Sequence, residues 1–181
     1  MRAFVAIEPP KDLKNKIHAF QSELKKQDIL EGNWTREYHL TLKFLGDISE
    51  NQLKEIEKVL ADISGKTKKF QLELKGIGAF PSKDYIRVLW LGAGIGDEES
   101  LVLHEQIDDK LSSIGFEKEK RYENHITLCR VKKVSDKNKL KEILAKNISF
   151  GKFEASEIKL IKSDLTPTGP VYKTIRSYIF S

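Results

Sequence analysis

The stretch Arg121-Tyr122-Glu123-Asn124-His125-Ile126-Thr127-Leu128-Cys129-Arg130 decides how this chain is read. Its centre is a histidine, an apolar residue, a threonine and a second apolar residue. The same order occurs once more, at His39-Leu40-Thr41-Leu42, 86 positions earlier. Side chains on a strand alternate between faces. In a strand, His125 and Thr127 therefore share one face, and Ile126 and Leu128 the other. The first copy behaves the same way, with His39 and Thr41 set against Leu40 and Leu42. The apolar pair anchors each strand in a core. The polar pair stands on a rigid surface, with Cα atoms about 6–7 Å apart.

An imidazole titrates near neutrality and can give or take a proton, and a hydroxyl both donates and accepts. Two facing His-Thr pairs can grip a phosphate from both sides. One histidine would take a proton from the attacking water or hydroxyl, and the other would protonate the leaving oxygen. The chain has four His and seven Thr. Two accidental His-x-Thr matches among four His arise about 1% of the time. One copy alone would read as a structural histidine. Two copies in strand-like runs read as a site. His18 and His104 lie in helix-like stretches without such a partner and read as surface or boundary residues.

A formal charge of +5 and a pI of about 9.1 suit an anionic partner such as RNA or a nucleotide. Charged residues make up 33%, with one Cys and one Met, a usage seen in proteins from hot environments. A lone Cys129 allows no internal disulfide and no Cys-rich zinc site, and no His-Glu-x-x-His pattern is present. No apolar run approaches the ~20 residues of a membrane span. The opening Ala3–Ile7 run is too short for a signal peptide. A soluble, cytoplasmic protein without a membrane partner is expected, a monomer by default.

Working outward, Ala3–Ile7 reads as a strand and Pro9-Pro10 as its end. Leu13, Ile17, Phe20 and Leu24 recur at helical spacing. Gly32 breaks that pattern before the first motif. Ser49 and Gln52 fit a capping box for a helix carrying Leu53, Ile56, Val59, Leu60 and Ile63. Phe70, Leu72 and Leu74 alternate as a strand. Gly76–Pro81 reads as an irregular strand edge, and Ile86–Leu91 as a strand. A helix with Leu103, Ile107 and Leu111 precedes the second motif, and one from Asp136 to Lys146 follows it. Strands around Gly151–Phe153, Ile158–Ile161 and Val171–Phe180 close the chain, with a turn over Asp164–Pro170. The repeated helix, motif strand, helix order predicts an α+β fold of two similar lobes, roughly 1–92 and 93–181 of a single 1–181 unit, with strands free to exchange between them.

Five strings carry a resemblance: Tyr38–Gly46, Gly76–Pro81, Arg87–Gly92, His125–Arg130 and Leu165–Tyr172. On them the chain resembles the two-histidine phosphoesterases, and most of all the LigT-like RNA 2′,3′-cyclic phosphodiesterase group, also called 2′-5′ RNA ligases. The resemblance implies a bilobal fold with antiparallel sheets lining a basic central cleft, helices outside, and neither metal nor nucleotide cofactor. It implies His39 as proton donor to the 3′ leaving oxygen and His125 as proton acceptor from water, giving a 2′-phosphomonoester. Thr41 and Thr127 would bind the non-bridging oxygens, Arg130 the phosphate, and Phe44 a base. The substrate would be RNA ending in a 2′,3′-cyclic phosphate, or a small cyclic nucleotide. Phe44 and Arg130 each lie five positions after a histidine, so plain parity puts them on the wrong face unless a bulge intervenes. Lys43 has the right parity to meet an RNA backbone. Asn124 stands where family members often carry Pro, a change expected to loosen the start of the strand. Two alternatives stay open at this point. One is ATP-independent 2′-5′ ligation, the reverse reaction, which water at about 55 M in an open cleft disfavours. The other is a non-catalytic RNA-binding module.

Overall fold

A computed structural model describes residues 1–167 and 169–181. The elements run β1 (Arg2–Ile7), α1 (Lys11–Lys26), β2 (Leu30–Trp34), β3 (Leu40–Asp47), α2 (Glu50–Lys66), β4 (Phe70–Pro81), β5 (Ile86–Ala93), α3 (Asp97–Ser112), β6 (His125–Val134), α4 (Lys137–Ala145), β7 (Ser149–Ala155), β8 (Glu157–Thr166) and β9 (Gly169–Ile179). The local signals act as their chemistry requires. Leu13, Ile17 and Leu24 bury one stripe of α1. Ser49 and Gln52 close a reciprocal capping box on α2. Asp136 caps α4 by accepting from the Lys139 amide. The turn expected over Asp164–Pro170 is narrower, because β8 and β9 pair up to Thr166 and Gly169. Thr168 lies outside the described residues.

The strands form two antiparallel sheets, ordered β3-β1-β8-β9 and β2-β6-β5-β4-β7. Strands β3, β1 and β8 in one sheet correspond to β6, β5 and β4 in the other. Each motif strand is thus paired to the strand that precedes its helix. The third strand of each set comes from the other half of the chain. A boundary at 92/93 therefore does not separate the sheets: each draws strands from both sides of it. The inner faces share one large core, in which Val5, Leu42, Leu74, Leu91, Ile107 and Leu128 are fully or almost fully buried.

Strand β2 does not follow from the sequence pattern, where Gly32 reads only as a break. In the structure β2 lies on β6, with Gly32 opposite Val131. A Cβ at Gly32 would collide with the Arg130 carbonyl and the Cys129 sulfur. Glycine is there for close backbone approach.

Candidate active site

The two motif strands carry the same irregularity at the same offset. On β3, Thr41 pairs with Ala6 and Lys43 with Val5, so Leu42 is an extra residue. On β6, Thr127 pairs with Trp90 and Cys129 with Leu89, so Leu128 is the extra residue. A bulge of this kind puts two consecutive side chains on one side and resets the alternation beyond them. The burial follows suit. Leu42 and Lys43 both point inward, as do Leu128 and Cys129, and Phe44 and Arg130 emerge on the exposed side. The bulges bring both residues back to the face of the histidines, as the five-residue offset requires.

Lys43 goes the opposite way from the parity reading. It is 2% exposed. Its Nζ lies 2.5 Å from Asp108 Oδ1 on α3 and donates to the Glu117 carbonyl at 2.6 Å. It is a buried tie between β3 and α3, on the opposite side of the strand from Phe44.

His39 sits one residue before β3. Its ring packs edge-on against Phe4 (5.4 Å between centroids) and Tyr172 (4.9 Å). Phe44, 63% exposed, lies 6.1 Å from Phe4 on the same surface. His39 Nε2 is 3.3 Å from Glu8 Oε1. The His39 contact, together with the ammonium groups of Lys159 (2.8 Å) and Lys14 (3.7 Å), outweighs burial and holds the Glu8 carboxyl at about 2. A permanent carboxylate faces Nε2, and an N–H at that position satisfies it.

His125 opens β6 in a different setting. Its Nδ1 is 2.8 Å from the Glu123 carbonyl. A carbonyl only accepts, so Nδ1 carries the hydrogen and the neutral ring has its lone pair on Nε2. Phe80 packs edge-on at 5.0 Å and Trp90 lies at 6.2 Å. Burial pushes the His125 pKa below its ordinary 6.5, against the opposing pull of the Glu123 carbonyl. Trp90 reaches this position because Gly78, opposite it on β4, has no side chain: a Cβ there would run into the indole.

The motifs are physically joined. The Tyr122 hydroxyl reaches the Thr41 carbonyl at 3.1 Å, and the Thr35 amide donates to the Leu128 carbonyl at 2.9 Å. Two His-x-Thr segments with matched bulges thus place one histidine beside a carboxylate and the other in a setting where burial lowers its basicity.

The profile described as LigT like Phosphoesterase matches residues 7–90 and 96–172. The chain belongs to the LigT-like phosphoesterase family. It is 42% identical over 180 residues to an RNA 2′,3′-cyclic phosphodiesterase of Methanocaldococcus jannaschii, covering 98% of this chain and 100% of that one. A protein of the same description from Methanothermobacter thermautotrophicus is 35% identical, with 95% of each chain covered. Among solved structures, Escherichia coli LigT in its apo form matches with a TM-score of 0.81 at 21% identity, covering 99% of this chain and 97% of that one. A Thermus thermophilus protein matches with the same TM-score at 24% identity, covering 99% and 98%. These likenesses show the LigT-like fold.

Within that LigT-like frame, two sequence expectations are corrected. Asn124 does not loosen the start of β6. It is buried; its Nδ2 donates to the Asp97 carbonyl and carboxylate, both at 2.8 Å, and its Oδ1 accepts from Tyr122 at 2.8 Å. The amide replaces the rigidity of a proline with three hydrogen bonds. His104 is not a surface or boundary residue. It is buried, stacks on Tyr122 at 3.6 Å, and hydrogen-bonds the Leu42 carbonyl at 2.6 Å. His18 is exposed, as expected. The sequence reading assigned no role to Glu8, Phe80, Trp90 or Tyr172. Glu8 was within reach of a parity argument, since it continues the Phe4, Ala6 face of β1. Phe80, Trp90 and Tyr172 lie inside the strings that carried the resemblance.

Proposed function

We propose that this protein hydrolyses the 2′,3′-cyclic phosphodiester at an RNA end to a 2′-phosphomonoester, using His39 and His125 as the acid–base pair. The observation that carries the reading is the unlike setting of two otherwise equivalent histidines. His125, with its hydrogen fixed on Nδ1 and its basicity lowered by burial, takes a proton from water on Nε2. The water oxygen bonds to phosphorus and the P–O3′ bond breaks. His39, acting as an imidazolium beside the Glu8 carboxylate, delivers one of its two N–H protons to the departing O3′ and is left neutral. Both proton transfers are supplied by imidazoles, so the reaction proceeds in the presence of chelator. Thr41 and Thr127 hydrogen-bond the non-bridging oxygens, Arg130 binds the phosphate, and Phe44 stacks on the terminal base. The names of the curated relatives support this reaction class.

The test uses an RNA oligomer ending in a 2′,3′-cyclic phosphate, with EDTA present, and follows the end groups. Wild type converts it to the 2′-phosphate, and His39→Ala and His125→Ala each lose about 10³-fold or more in kcat. Equal conversion by the variants removes the mechanism. Salt-sensitive RNA binding with no conversion by any of the three replaces the enzyme with a binding module. Parallel assays of 2′,3′-cyclic mononucleotides separate an RNA substrate from a small one.

A further inference from the structure

The extra residue of each bulge carries a carbonyl that hydrogen-bonds a buried side chain, and the Leu128 carbonyl also accepts from the Thr35 amide at 2.9 Å. Each is met by a buried side chain from a helix. His104 on α3 approaches the Leu42 carbonyl at 2.6 Å, so its Nδ1 carries the hydrogen. Gln21 on α1 donates from Nε2 to the Leu128 carbonyl at 2.9 Å and to the Thr35 carbonyl at 3.2 Å. The assignment is crossed: the helix before the first motif serves the bulge of the second, and the reverse. A tyrosine holds each of these side chains. Tyr38, just before His39, donates to Gln21 Oε1 at 2.8 Å. Tyr122, just upstream of His125, stacks on His104 within 8° of parallel and reaches the Thr41 carbonyl.

Gln21 and His104 are both buried, so neither touches substrate. Their hydrogen bonds have another consequence. A one-residue change of register moves every later side chain of a strand to the opposite face. Without the Leu42 bulge, Phe44 turns inward and Lys43 outward. Without the Leu128 bulge, Arg130 leaves the face of β6 that carries His125. A buried carbonyl deprived of a donor favours that change; at Leu128 the Thr35 amide remains, so the loss of Gln21 acts through the second bond to that carbonyl and through the Thr35 carbonyl.

We propose that His104 and Gln21 are positioning residues that hold Phe44 and Arg130, respectively, on the substrate face by capping the two bulge carbonyls. The kinetic test rests on the reading that Phe44 and Arg130 contact substrate. The crossed pairing gives it a signature that a general structural role lacks. His104→Phe keeps the ring and its stack on Tyr122 but loses the donor; Gln21→Met keeps the volume and loses the amide. Each is combined with Phe44→Ala and with Arg130→Ala, and kcat/KM is measured on the cyclic-phosphate RNA end. His104→Phe lowers kcat/KM about tenfold, costs little more once Phe44 is gone, and adds in full to Arg130→Ala. Gln21→Met shows the mirror pattern with a smaller loss, because the Thr35 amide still meets the Leu128 carbonyl. His104→Asn, with an amide nitrogen near the place of Nδ1, restores most of the loss. Tyr38→Phe, which removes only the hydroxyl orienting Gln21, is the milder variant should Gln21→Met not fold, and it too couples to Arg130 alone. Full additivity in all combinations overturns the proposal. If Phe44→Ala and Arg130→Ala are themselves silent, the substrate-contact reading fails, and crystal structures of the foldable variants decide. Bulges lost or shifted support the capping role; bulges intact with Phe44 and Arg130 still outward end it.

Discussion

Lys43 offers the sharpest test of the bulged register. Lys43→Met keeps the length of the side chain and removes its charge. In the structure both Lys43 and Asp108 have side chains 3% exposed, with 2.5 Å between Nζ and Oδ1. Glu119 Oε1 stands 3.7 Å away and the Glu117 carbonyl accepts at 2.6 Å. Removing the ammonium leaves the Asp108 carboxylate with only the long bonds from the Glu119 amide, at 3.2 and 3.3 Å. It also strands the Glu117 carbonyl. Breaking one side of a buried pair costs about 3–5 kcal/mol. For a chain of this size each kcal/mol moves Tm by about 2–4 °C, so the variant melts about 6–20 °C lower. Thermal and urea unfolding at neutral pH measure this. Lys43→Met/Asp108→Leu recovers more than half of the loss, because the uncompensated charge is gone. Affinity for RNA, measured against salt, keeps its slope. A variant with unchanged melting and a salt slope reduced by about one would instead put the ammonium on a phosphate. That result would refute the bulged register and the buried pair together.

Other outcomes follow from the same geometry. The acidic limb of kcat/KM reports the free-enzyme base, so it falls below the ordinary imidazole value of 6.5, the direction in which burial moves His125. Glu8 is held at about 2 against an ordinary 4.5. Its depressed pKa contributes stability that is complete above 4.5 and is lost as pH falls through about 2, an effect of about 3 kcal/mol at most. Unfolding of wild type and Glu8→Gln across that window checks it: the variant lacks this part of the acid dependence. Asn124→Ala removes three buried hydrogen bonds and lowers stability by about 2–3 kcal/mol; urea unfolding that shows less than about 0.5 kcal/mol would mean the side chain is not the anchor of β6.

The histidine-threonine pattern was legible because a strand has a fixed period. Given two copies of His-x-Thr with alternating apolar partners, the residues that can share a surface follow from backbone geometry alone. The amphipathic helices and the capping box of α2 were legible for the same reason: they depend on neighbours within four positions. Glu8 was legible in principle, two residues beyond Ala6 on the face of β1 that carries Phe4.

What the sequence could not decide begins at Leu42 and Leu128. A bulge is a property of two paired strands, and the partners β1 and β5 lie 35 or more positions away in the chain. The same period that correctly put Thr41 beside His39 therefore misplaced Lys43 by one residue. His104 reads as a surface or boundary residue because it lies in a helix-like stretch with no partner signal in the sequence. The carbonyl at the distant bulge and the Tyr122 ring give it partners in the core. The difference between His39 and His125 is of the same origin. Their local sequences are alike, and their chemistry diverges through Glu8, Lys159, Phe80 and Trp90, which the packing of two sheets brings to them. Local period determined which residues can share a face, and long-range pairing determined which face and which neighbours each has.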